Sequence, residues 1–185
     1  MTAVAALAAD RVEALSQGLS GALFRPGDER YESARSVHNG LIDKRPALIA
    51  RCRGGADVAT AIGFAREAGL EISVRGGGHS IAGRCVTNGG LMIDLAEMKS
   101  MYVDPRARTM RAQGGVIWAE FNRETAVDGL AVTGGAVSTT GIAGFTLCRS
   151  VSRLMRRVSM PANHPVRRAP RKTASLDGRP QTARS

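Results

Sequence analysis

A chain of 185 residues that is 43% hydrophobic has the material for one packed domain with a tail, and it holds no run near the roughly 20 apolar residues of a membrane-spanning helix. Its net charge of +10 is unevenly spread: residues 1–147 carry 16 Lys/Arg against 15 Asp/Glu, whereas 148–185 carry 10 against the single Asp177. The balanced body argues against nucleic acid as a partner, and three scattered cysteines (Cys52, Cys85, Cys148) argue against a disulfide framework or a zinc site and for a reducing, cytoplasmic setting.

Residues 3–19 place Val4, Leu7, Val12, Leu15 and Leu19 at near-helical spacing. Met1–Ala9 lacks a basic leader region, so this stretch reads as the start of a helix and not as a signal peptide. Residues 21–46 are turn-rich, with Arg25-Pro26-Gly27-Asp28 as punctuation. Pro46–Ala50 reads as a short buried strand. A helix follows from Gly54-Gly55-Ala56-Asp57, with Val58, Ala61, Ile62, Ala65 and Ala68 on one face and Gly69 as its stop. Leu70–Val74 is the next apolar strand, completing a βαβ pattern with a right-handed crossover. Short strands are expected at 90–94, 100–104 and 109–113. A helix over 117–126 is expected to turn Ile117, Phe121 and Ala126 inward, with Trp118 as a core anchor.

The chemistry concentrates in two glycine-rich stretches. The first, Arg75-Gly76-Gly77-Gly78-His79-Ser80, closes the 70–74 strand. Bare backbone N–H groups in such a loop cradle anions, phosphates above all. It meets neither the Rossmann fingerprint nor the P-loop pattern. The second runs from Val132 to Gly144 and offers the hydroxyls of Ser138, Thr139 and Thr140 between glycines. Two such loops could clamp a diphosphate from both sides. His79 sits at the lip of the first, placed to act as base, ligand or nucleophile. His38 and His164 have no such setting and are read as surface residues. Cys85, six residues from His79, reads as a structural thiol, with a His/Cys nucleophile pair as the alternative.

Three motifs in order carry a resemblance: Val74–Ser80, Gly89-Gly90-Leu91-Met92-Ile93-Asp94-Leu95, and Gly134–Gly144, preceded by Asn39–Asp43 and Pro46–Cys52. Over residues 36–147 the chain resembles the FAD-linked oxidases with a PCMH-type flavin domain, in particular the berberine-bridge-enzyme-like branch. The resemblance implies an α+β fold of two small α/β subdomains, the first complete and the second truncated, with FAD between them. It implies FAD contacts from Arg75, Gly76, Gly77, Gly78, His79 and Ser80, the loop that holds the diphosphate, and from Gly135, Val137, Ser138, Thr139, Thr140, Gly141 and Gly144, which line the diphosphate and flavin from the other side. It implies a covalent bond from His79 to the 8α position of the flavin. Some relatives add a cysteine bond, but Val137 stands at that position. The implied activity is oxidation of an alcohol, sugar or related small molecule, with O₂ reoxidising the flavin.

After Leu147 the family's next glycine run is missing, and the charge jump falls at the same point. Three regions follow: a helix and lead-in over 1–35, the flavin domain over 36–147, and a basic tail over 148–185. The tail has four prolines and no aromatic residue, and it is expected to be disordered or frameshifted. Alternatives to an active oxidase fragment are an inactive flavin-binding remnant without a substrate domain, and an adaptor that works through its basic tail.

Overall fold

A computed structural model describes residues 8–147; Val4, Leu7, Cys148, His164 and the whole expected tail lie outside the described residues. The elements, in order, are α1 (Ala9–Gly18), β1 (Ala22–Phe24), α2 (Tyr31–Arg35), β2 (Leu48–Arg51), α3 (Gly55–Glu67) and β3 (Ile72–Arg75). They continue with β4 (Leu91–Asp94), β5 (Met101–Asp104), β6 (Thr109–Ala112), α4 (Trp118–Val127) and α5 (Ile142–Leu147). The α+β class expected from the sequence is what forms. No described helix is long and apolar enough to cross a membrane.

The first subdomain is a four-stranded sheet in the order β1-β2-β4-β3. β2, β4 and β3 run parallel, and β1 is antiparallel to β2. The expected βαβ unit is present, but β4 inserts between its two strands, because the apolar run Leu91-Met92-Ile93 is the segment that can be buried on both faces. Alternation along β2 and β4 sorts the core. Leu48, Ala50, Leu91 and Ile93 pack with Val12, Leu15, Ala61 and Ala65 of α1 and α3. Ile49 and Met92 pack on the other face with Phe24, Tyr31, Ala34 and Val86.

In this subdomain three expectations change. The turn-rich 21–46 segment contains β1 and α2, held down by the buried Tyr31, whose hydroxyl donates to the Pro46 carbonyl at 2.6 Å. Ile62 is exposed on α3, where Phe64 packs instead. β3 buries Ser73 and leaves Val74 51% exposed, because it is the edge strand.

Buried Asp57, in the first turn of α3, ties this subdomain's loops together. It accepts from the Ser20 N–H at 2.9 Å and the Arg53 N–H at 2.8 Å. Burial pushes its carboxyl up, but the N–H donors of Arg53, Ser20 and Gly21 outweigh burial and hold it below its ordinary value.

The second, smaller unit is the β5–β6 hairpin with α4 and α5. Its core is Val116, Trp118 and Ile142, with Phe121 and Phe145 edge-on to the indole. Trp118 anchors the core as expected. Ala126 is exposed, however, and Thr125 is buried in its place, its hydroxyl donating to the Phe121 carbonyl at 3.1 Å.

Candidate flavin site at the seam of two glycine loops

The first loop leaves the carboxyl end of β3, the end of a parallel sheet at which ligands bind. Directly beneath it, Arg51, Asp94 and Arg75 stand in register across β2, β4 and β3. Asp94 is fully buried and takes the Arg51 Nε–H at 2.9 Å, with Arg75 at 3.7 Å. Arg75 also donates to the Ala34 carbonyl at 2.6 Å. Its guanidinium lies against the loop, with Nε 3.3 Å from where a side chain on Gly78 would begin.

The three glycines have separate causes. Gly78 adopts φ +74, a left-handed conformation that favours glycine. Gly77 lies against the backbone of Gly141, where any Cβ would land on the Gly141 nitrogen. Gly76 sits against the Gly114 carbonyl, 3.1 Å from where a Cβ would be.

The structure brings the two expected loops together. They touch backbone to backbone at Gly77 and Gly141, which leaves no gap between those two residues. His79 crosses that seam, its Nε2 lying 2.9 Å from Thr139 Oγ1.

The second loop is itself anchored. The Ser138 and Thr140 carbonyls accept the N–H groups of Ala119 and Trp118 at the start of α4, and Gly141 bridges to Ile117. Gly134 and Gly135 lie flat on the Trp118 indole. Val137 is exposed, and Gly144 is exposed in open space. Ser80 Oγ accepts from the Arg84 N–H at 3.0 Å, closing the turn after His79.

Within the second loop the Thr140 N–H donates to the Val137 carbonyl at 3.1 Å, but most of the donors of both loops stay free of backbone partners. The backbone N–H groups of Gly76 through Ser80, and of Ala136 through Thr139, reach no backbone carbonyl among the described residues. Unspent N–H groups on two joined loops are the donor set that a dianionic diphosphate requires, so the residues present fit the diphosphate of FAD.

His38 is exposed, as expected of a surface residue, but it also has a partner. Its ring stacks on His79 with centroids 4.0 Å apart and planes inclined by 17°. The segment containing it braces the first loop throughout. The His38 N–H donates to the Gly78 carbonyl, the Asn39 amide to the Ile81 carbonyl, and Lys44 Nζ to the Gly83 and Val86 carbonyls. The sequence signal was its position immediately before Asn39–Asp43, a stretch already marked by the resemblance. Burial and then the neighbouring His38 lower the pKa of His79, which favours the neutral imidazole. Cys85 is buried and makes no hydrogen bond to His79, so no His/Cys pair forms.

Residues 46–164 match the family described as FAD binding domain, so the match runs past Leu147 into the basic segment. (R)-6-hydroxynicotine oxidase of Paenarthrobacter nicotinovorans is 36% identical over 129 residues, which is 70% of this chain and 28% of that protein. An FAD-linked oxidoreductase of Dictyostelium discoideum is 29% identical over 154 residues, 83% of this chain and 34% of that one. Among solved structures, 6-hydroxy-D-nicotine oxidase from Arthrobacter nicotinovorans matches with a TM-score of 0.67 at 36% identity, covering 69% of this chain and 28% of that chain. The BBE-like 1 protein of Physcomitrella patens matches with a TM-score of 0.69 at 26% identity, covering 74% and 30%. The chain thus spans only 28% and 34% of the length of these two curated relatives. With the fold and the glycine seam in agreement with these likenesses, the chain belongs to the FAD-linked oxidoreductases that carry a PCMH-type FAD-binding domain.

Proposed function

We propose that this chain supplies the FAD-holding part of an oxidase for an alcohol, a sugar or a related small organic molecule, with O₂ as the acceptor and the flavin bonded to His79. We place it in the cytoplasm, a compartment that suits the free, buried thiols of Cys52 and Cys85. When bound, FAD supplies the two-electron acceptor. The chain's own residues bind and orient it. The N–H groups of Gly76–Ser80 and Ala136–Thr139 take the diphosphate, Arg75 and Asp94 hold the first loop from below, and Thr139 turns the imidazole of His79. The observation that carries this reading is a neutral-leaning histidine at the meeting point of two donor-rich loops.

The test is direct. The full chain is expressed, denatured in acid, and examined for yellow fluorescence that stays with the protein. The expected outcome is chain-bound flavin in the wild type and only released flavin in His79→Ala. A purified chain that carries no flavin in either form would replace this reading with that of an inactive remnant.

A further inference from the structure

We propose that His38 is a positioning residue for His79, fixing the plane of its imidazole so that one ring nitrogen is presented for attachment of the flavin; this rests on the covalent reading above. Two constraints meet on one ring. Thr139 Oγ1, from the second loop, holds the Nε2 edge at 2.9 Å. His38 covers a face at a centroid distance of 4.0 Å. An edge contact alone leaves the ring free to swing about that bond, and a face contact alone leaves it free to turn in its own plane. Together they leave one orientation, with Nε2 engaged and Nδ1 the nitrogen without a hydrogen bond among the described residues.

The stacking is built in by the backbone. The His38 N–H is bonded to the Gly78 carbonyl at 3.0 Å, one residue before His79, and the Asn39 amide to the Ile81 carbonyl at 3.0 Å, two residues after it. The backbone that carries the His38 ring is therefore laced to the same loop that carries His79.

The chemistry gives such a strap a use. Attachment exchanges one C–H bond of the flavin 8α methyl group and the imidazole N–H for a C–N bond. The two hydrogens leave with two electrons to O₂, which becomes hydrogen peroxide. A nitrogen held in the attacking orientation has no rotational freedom left to lose, and misplacing such a group slows a reaction by large factors.

The experiment uses the full chain incubated with FAD in air, and it follows both reversible binding and acid-stable attachment. In His38→Ala the rate of attachment falls roughly tenfold, within the range that misplacement of a reacting group costs. Reversible FAD affinity stays within about twofold of wild type, because the diphosphate donors are untouched. His38→Phe keeps a flat ring on His79 and restores most of the rate. Wild-type attachment in His38→Ala, or no recovery in His38→Phe, would overturn the proposal. If the wild type binds FAD but never attaches it, the covalent reading fails by itself. The positioning of His79 is then read from imidazole nitrogen resonances of the flavin-free chain. One tautomer in the wild type that becomes a mixture in His38→Ala supports it, and a mixture in the wild type rejects it.

Discussion

At Gly77 the first added carbon of any side chain would overlap the Gly141 backbone nitrogen, and a backbone cannot step aside as a flexible side chain can. Gly77→Ala is therefore expected to force the two loops apart, at a cost of about 1–3 kcal/mol typical of overpacking, and to abolish retention of FAD. Gly144→Ala is the contrast: no neighbouring protein atom lies within 4 Å of its Cβ position and it sits inside α5, so its melting temperature should not fall. Thermal denaturation and flavin absorbance of the two variants check both outcomes. These two glycines look alike as letters, and only the fold separates them. The run Gly76–Gly78 was legible as an unusual backbone that a ligand could use. That Gly77 is small because another loop touches it was not legible, since the partner is more than 60 residues away. The stack of His38 on His79 was not legible for the same reason: a contact between two rings on separate loops leaves no periodicity in the sequence. Cys52 follows the opposite course. It lies just beyond the apolar run Pro46–Ala50, whose burial was readable, and burial pushes its thiol up to about 12, so thiol reagents should leave it unmodified until the chain unfolds.

β4 is the element that the others depend on. The strands and helices could be read from apolar runs and their punctuation, but the order β2-β4-β3 depends on which strand the molecule buries on both faces. Residue 94 closes that strand with a buried carboxylate between two guanidinium groups, one from each neighbouring strand. Nothing in Leu91-Met92-Ile93-Asp94 alone reveals those partners, because Arg51 and Arg75 arrive only through the parallel register. Asp94→Asn keeps the shape and removes the charge, leaving two partly buried cations without their counter-ion. It is expected to destabilise the chain by about 3–5 kcal/mol, the cost of breaking a buried pair from one side. Denaturant unfolding measures this directly. Because the Arg75 end of the network lies under Gly78, FAD retention should weaken even under conditions where the variant is fully folded. A wild-type affinity in folded Asp94→Asn would separate the sheet end from the loop it is proposed to support.

Across the whole molecule, the seam between the two subdomains and the core of the first should respond to acid at different points. The pKa of His79 is held below its ordinary 6.5, by burial first and by His38 second. A histidine shifted down favours the native state fully above its ordinary value, and that contribution is lost as pH falls through the ordinary value toward the lowered one. Protonation there places a charge against His38 at the meeting point of the loops, so the seam should loosen first. Asp57 lies deep in the first subdomain, held below its ordinary 3.8 by N–H donors that outweigh its burial. Its contribution is complete above that ordinary value and disappears only as pH falls through the lowered one. Glu120 has the same sign at the start of α4: burial pushes it up, and Lys99 Nζ at 2.7 Å with the Ile117 N–H brings it down further. Two acid phases should therefore appear when melting temperature is followed against pH: a shallow one just below neutrality and a steep one in the carboxylate range. His79→Gln should remove the shallow phase and leave the steep one. Asp57→Asn should lower stability at neutral pH and flatten the steep phase, because the group whose ionisation stabilised the fold is gone. A single phase, unchanged by His79→Gln, would mean that the seam and the sheet unfold as one unit and that the histidine pair carries no separable share of the stability.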